Sequence, residues 1–252
     1  MFSNPMPVPL KLDTHYDVPV DEYWGGRGNE LPTDGYFNGQ IAQFHALSPN
    51  GGRDASPLAL DIGVGMGKAM TSLTRAGFDA YGIEPSASFR EFAIDRTGLS
   101  PNRIKLASVE VAEFAEHTFD FVTFGAVLEH LTQPAAALRR AIGWTRPGGL
   151  IHVEVPSSDW LMARLVDLVY RAQGLDYTCH LSPLHVPYHL YEFTEKSFEA
   201  FAADTNCQIA YSRLFVGETY APRLLDPMLK RAMASTKTGM QLEVWLRTAA
   251  GH

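Results

Sequence analysis

Cysteine is scarce in this chain: of 252 residues only Cys179 and Cys207 carry a thiol. Two thiols make neither a disulfide framework nor a zinc cluster, and they suit a reducing compartment. Positive charge is thin as well. Twenty-one Lys and Arg stand against 28 Asp and Glu, a formal net charge of −7, with no long basic run. Bulk attraction to a phosphate backbone is thereby excluded, and nucleic acid is not an expected partner. No segment offers the roughly 18 uninterrupted apolar residues of a membrane span, and the start, MFSNPMPVPLKLDTHYD, lacks the apolar stretch of an export signal. The expectation is a cytoplasmic chain with no membrane partner. What the sequence does have is 46% hydrophobic residues against 19% charged. That is enough for one sizeable core, so residues 1–252 read as a single domain.

The middle of the chain alternates between two periods. LALDI, at 58–62, is a short apolar run ending at glycines, the form of a buried parallel strand. Residues 68–76 place Met70 and Leu73 on one helical face and stop at Gly77. A second strand follows at 78–84, then a helix at 87–97 closed by Gly98, a third strand at 103–107 and a fourth at 119–124. Pro134 sits at the first turn of the next helix, and RPGG leads into a fifth strand at 150–155. Strands separated by helical segments of this length predict right-handed βαβ units and a parallel sheet. Beyond Pro156 the rhythm changes. A helix is expected at 159–172, then a histidine-rich stretch at 179–190 without periodicity, and then a helix at 195–204 capped by Thr194. Two β-like runs, 208–216 and 240–247, flank a helical piece around 224–234. The first 50 residues, rich in Tyr, Gly and Pro, read as an irregular flap.

The glycines after the first strand carry the chemistry. Gly63 and Gly65 fit the opening of the dinucleotide pattern G-x-G-x-x-G, but its third position falls on Lys68. The spacing is instead D-x-G-x-G-x-G, from Asp61 through Gly63 and Gly65 to Gly67. Glycines there let the backbone approach a ligand closely. Glu84 ends the next strand 21 positions after Gly63, near the ~20-residue offset at which a carboxylate meets a ribose. Pro85 offers a flat apolar wall beside it.

With SVEVAEFAEHTFDFVTFGAVLEHLTQP at 108–134 and RPGGLIHVEVP after it, these motifs resemble class I S-adenosylmethionine-dependent methyltransferases over 58–156. The resemblance implies a Rossmann-like α/β fold: a seven-stranded, mostly parallel sheet in the order 3-2-1-4-5-7-6 with helices on both faces. S-adenosylmethionine is the implied cofactor and S-adenosylhomocysteine its product. Asp61, Gly63, Gly65, Gly67, Glu84 and Pro85 are the implied cofactor residues, with Ser108 and Val109 at the adenine and Gly125 near the reactive methyl. Ser108 departs from the commoner Asp at its position.

HLYEFTEKSFEAFAADTNCQI, at 189–209, is similar to a segment of quinone- and sugar-methylating enzymes in which a His-containing loop faces the acceptor. His189 is the leading candidate base, with His185 and His130 as alternatives. His180, His185 and His189 do not match a standard zinc pattern, and no metal is expected. Tyr23, Trp24 and Arg27 in DEYWGGRG either close over the cofactor or pack the flap onto the domain. The expected lid is the flap 1–50 with residues 157–192. The expected partner is a small-molecule methyl acceptor, met by a monomer or homodimer. O-methylation of a sugar, aromatic or natural-product intermediate is the leading activity. N- or C-methylation and cofactor binding without transfer are the alternatives.

Overall fold

The structure is a computed structural model that describes residues 19–20, 35–48, 56–176, 178–179, 181–183, 188–217, 219 and 221–250. Seven strands form one sheet: β1 (Leu58–Ile62), β2 (Asp79–Glu84), β3 (Ile104–Leu106), β4 (Phe119–Gly125), β5 (Thr145–Pro156), β6 (Cys207–Phe215) and β7 (Gln241–Thr248). Their order is β3-β2-β1-β4-β5-β7-β6, the expected one. The first five pair in parallel, and β7 runs antiparallel between β5 and β6.

Helices cover both faces because the central strands β1, β4, β5 and β7 are buried on both sides. On one face α1 (Asn38–Leu47), α2 (Lys68–Arg75) and α3 (Ala87–Thr97) press Ile41, Phe44, Met70, Leu73 and Ala93 onto Phe121, Leu150 and Trp245. The Phe121 and Trp245 rings stack at 5.4 Å between centroids. On the other face α4 (Pro134–Trp144) and α6 (Glu195–Ala203) bring Leu138, Ala141, Trp144 and Phe198 against Ile62, Phe124, Val153 and Val244. Outside these layers α5 (Leu161–Ala172) packs near α7 (Asp226–Thr236) through Trp160, Ala163 and Met233.

Local chemistry sets the boundaries. Ser86 Oγ accepts from Phe89 N at the start of α3. Pro134 opens α4, and Thr194 with Ser197 forms a capping box on α6. Two expectations are corrected. The flap 1–50 is not irregular throughout, since residues 38–47 form α1, whose two buried side chains reach the aromatic core. The fifth strand begins at Thr145 rather than 150, because Thr145 pairs with Phe119 across an irregularity in β4.

Candidate active site

The chain runs outward from β1 to β3, returns to β4 and continues the other way. A crevice opens where the direction reverses, outside the carboxyl ends of the parallel strands. Here it is a cleft of about 930 Å³, a volume suited to a nucleoside-sized ligand and a small partner.

The glycine turn forms one wall. Gly63 lies at φ +75°, and a Cβ there would come within 2.6 Å of Val127 Cγ2, so only glycine keeps the β1 turn against the loop after β4. Gly65 N donates to Glu84 Oε2 at 2.8 Å, and Ser86 N donates to Glu84 Oε1 at 3.0 Å. Each carboxylate oxygen keeps lone-pair capacity for a further donor, as two vicinal hydroxyls would need. Burial pushes the Glu84 carboxyl up, and those two backbone bonds pull it back. Asp61 is raised to about 8 by burial and by the charge of Glu84.

Asp61, Gly63, Gly65, Glu84, Pro85, Ser108, Val109 and Gly125 all line this one cleft. Gly67 does not. It caps α2 at φ +76°, where a Cβ would stand 3.0 Å from Thr97 Cγ2 and 3.2 Å from Ala93 Cβ, so it lets α2 pack against α3. Tyr36 and Phe37, just before α1, also line the cleft and were not singled out in the sequence; the Lys68 Nζ stands 5.2 Å from the Tyr36 ring centroid. The Tyr36 phenol is pushed up to about 12 by burial, then by Glu154 and Asp61. Nothing in a loop tyrosine's sequence context announces that it will meet a glycine turn 30 residues on.

At the other end of the cleft a 3-10 turn, Leu128–His130, follows β4. The Glu129 carbonyl accepts from Leu190 N at 2.8 Å and Tyr191 N at 3.3 Å, which pins HLYEF to LEH. His189 is fixed by a mutual pair with Ser182: His189 N donates to Ser182 Oγ, and Ser182 N donates to the His189 carbonyl, both at 3.1 Å. The His130 and His189 rings then lie 4.9 Å apart, and His130 Nε2 is 3.9 Å from Glu129 Oε1. Glu129 is only 1% exposed, and its Oε2 has no hydrogen-bond partner among the described residues. Burial raises it to about 8, with Glu154 adding to the rise. One side-chain ligand atom from each of Glu129, His130 and His189 lies within 4.8 Å of the others. Such a group can share a proton or hold a divalent cation. His180 and His185, like Tyr23, Trp24 and Arg27, lie outside the described residues.

The Rossmann-like sheet brings the glycine turn, the Glu84 carboxylate and the Glu129–His130–His189 group into one crevice. Residues 60–153 match the family described as a methyltransferase domain. Among curated proteins the chain is similar to the ubiquinone biosynthesis O-methyltransferase of Colwellia psychrerythraea, 35% identical over 96 residues, covering 36% of this chain and 39% of that protein. The match thus spans about two-fifths of that relative's length. Among solved structures, a SAM-dependent methyltransferase from Leishmania major superposes with a TM-score of 0.59 at 14% identity, covering 94% of this chain and 82% of that one. The [4+2]-cyclase SpnF shares the fold at a TM-score of 0.53 and 13% identity, over 83% and 81% of the two chains.

Proposed function

We propose that this protein transfers a methyl group from S-adenosylmethionine to a hydroxyl of a small metabolite. The observation that carries the reading is the Glu129–His130–His189 cluster, in the same cleft as the glycine turn. When bound, S-adenosylmethionine supplies an electrophilic methyl on a positively charged sulfur. The residues in the cleft suit it: Glu84 would hold the ribose hydroxyls, Pro85, Ser108 and Val109 would meet the adenine, and Asp61 with Gly63 and Gly65 would meet the amino-acid portion. Gly125 leaves the backbone bare beside the acceptor. The protein's own work is then alignment, worth ~7–11 kcal/mol of barrier when two reactants are held in line. His189 takes the hydroxyl proton, a contribution of roughly 10²–10⁴-fold.

The acceptor class follows from the relatives, which methylate oxygen in ubiquinone biosynthesis by their names, and an aromatic hydroxyl is favoured over a sugar. Residues 157–192 and the N-terminal flap act as the lid. The two free cysteines, both partly buried, fit a cytoplasmic setting; no helix among the described residues is long and apolar enough to cross a membrane. A second reading rests on the same three ligand atoms, which are close enough to hold a divalent cation that would polarise the acceptor oxygen.

The experiment is methyl transfer from labelled S-adenosylmethionine to a panel of catechols, phenols and sugars, with and without chelator. Label on oxygen that survives chelation is the expected result. Label lost to chelator and restored by a divalent cation favours the second reading. Calorimetric binding of the cofactor with no transfer to any oxygen would overturn both.

A further inference from the structure

One carboxylate in the cleft has no cation beside it among the described residues. Glu154 stands near the carboxyl end of β5 as the register partner of Gly125 in β4, and Ala126 N donates to its carbonyl at 2.9 Å. Its side chain lines the cleft and is only partly buried. Gln40 Nε2 of α1 donates to its Oε2 at 3.5 Å, the long limit of a hydrogen bond, and supplies no charge. Glu243, its partner across in β7, differs in this respect, with Arg213 Nη2 at 2.6 Å from its Oε2. Lys68 is the one Lys or Arg among the described residues that line the cleft, and its Nζ lies over the Tyr36 ring.

The other acids of the cleft are accounted for. Asp61 and Glu129 are each raised to about 8 by burial, so both hold a proton at neutral pH. Glu84 is tied to Gly65 N and Ser86 N at the ribose position, and Glu110 follows Val109 at the adenine end. Glu154 is placed differently. Its negative charge raises the Tyr36 phenol, which also feels Asp61 beside the glycine turn, and it raises Glu129 in the acceptor cluster. It therefore sits between the two halves of the cleft, where a methyl group passes from donor to acceptor. Methyl transfer turns a positive sulfonium into a neutral thioether. A carboxylate at that point attracts the donor and has no such hold on the product.

We propose that Glu154 is a specificity-determining residue whose carboxylate faces the sulfonium, so that the cleft prefers the charged methyl donor over its neutral product. This rests on the cofactor reading above, and it adds to that reading a means of exchanging spent cofactor for fresh. Gln40 steadies one oxygen and leaves the charge uncompensated until the donor binds. The attraction then ends with the transfer itself.

The test is calorimetric binding of three probes that share the nucleoside and amino-acid portions. S-adenosylmethionine carries a positive sulfur, sinefungin a positive amine in place of the sulfonium methyl, and S-adenosylhomocysteine no charge at that point. Wild-type binding of S-adenosylhomocysteine is the control for the cofactor reading; its absence sinks that reading rather than the role of Glu154. Glu154→Gln keeps the shape and removes the charge. It is expected to weaken S-adenosylmethionine and sinefungin roughly tenfold each, the order of one partly solvated charge pair, and to leave S-adenosylhomocysteine unchanged. Glu154→Asp keeps the charge and is expected to keep the preference for both cations. Equal weakening of all three probes by Glu154→Gln, or of none, would overturn the proposal. So would weakening of only one of the two cations, or a Glu154→Asp protein that behaves as Glu154→Gln does.

Discussion

Glu129 links the protein's stability to pH through a single side chain. Its value of about 8 in the folded state stands above the ordinary 4.5, so between those values the folded protein holds a proton that the unfolded chain has released. Stability is therefore fully present below 4.5 and declines as pH rises toward about 8. Asp61 acts in the same direction over the same range. Glu129→Gln is neutral at every pH, so the melting temperature of this variant relative to wild type should climb from about pH 5 to pH 8. A gap that stays constant with pH would show that the carboxyl is not protonated in the fold. His189→Ala should lower kcat by roughly 10²–10⁴-fold with cofactor affinity unchanged, in single-turnover and binding assays. Near-normal turnover in this variant, with loss in His130→Ala, would move the base to His130. Gly67→Ala belongs to a different kind of residue. It forces a left-handed backbone and a close approach to Ala93, so it should cost at least ~1–2 kcal/mol in denaturant unfolding. Any protein that folds should still bind the cofactor.

Helix α1 shows what an element adds that its residues do not announce. It starts at Phe37 with no side-chain cap, and only Ile41 and Phe44 of its ten residues are buried. In sequence that is too sparse for a periodic face. Phe44 is nevertheless fully buried, 5.1 Å from the Phe78 ring and 5.3 Å from Phe121. The helix is a tertiary product, and its docking sets Tyr36 and Phe37 as a wall of the cleft. Phe44→Ala should cost ~3–5 kcal/mol of stability and also weaken cofactor binding, read by thermal shift with and without S-adenosylhomocysteine. The strands and the glycine turn were legible because their signals are local: apolar runs, a D-x-G-x-G spacing and an acid at a fixed offset. That Asp61, Gly63, Gly65, Glu84, Pro85, Ser108, Val109 and Gly125 share one cleft was legible for the same reason, as was the place of His189 along it. Glu129 carries no local signal of its burial, because that burial is decided by a segment some 60 residues on, at Leu190 and Tyr191. Gly67 fell into the cofactor set because spacing alone does not distinguish a glycine that meets a ligand from one that meets a helix. Thr123 and His152 read as ordinary strand residues until the register set them side by side.

At the scale of the whole molecule, the first described helix and the last strand hold each other. Arg247 in β7 donates from Nη2 to the Leu47 carbonyl at 2.7 Å, across 200 positions of sequence, and from Nη1 to the Gly148 carbonyl at 3.1 Å. Trp245 of the same strand stacks on Phe121 and flanks His152. β7 also occupies an interior place in the sheet, between β5 and β6, although it is made last. This order has a consequence on the ribosome. A nascent chain synthesised at ~5–20 residues per second has its glycine turn complete long before β7 emerges. Until then β5 is an open edge, β6 has no partner, and α1 has only part of the surface it docks on. The nucleoside half of the cleft is therefore available early, whereas the wall formed by Phe37 closes only near the end of synthesis. A chain stopped at residue 240 should fail to bind S-adenosylhomocysteine and should aggregate through the open edge of β5 and the unpaired β6. Adding the missing strand as a separate peptide should recover part of the binding, because the sheet then regains its one interior member that arrives after its neighbours.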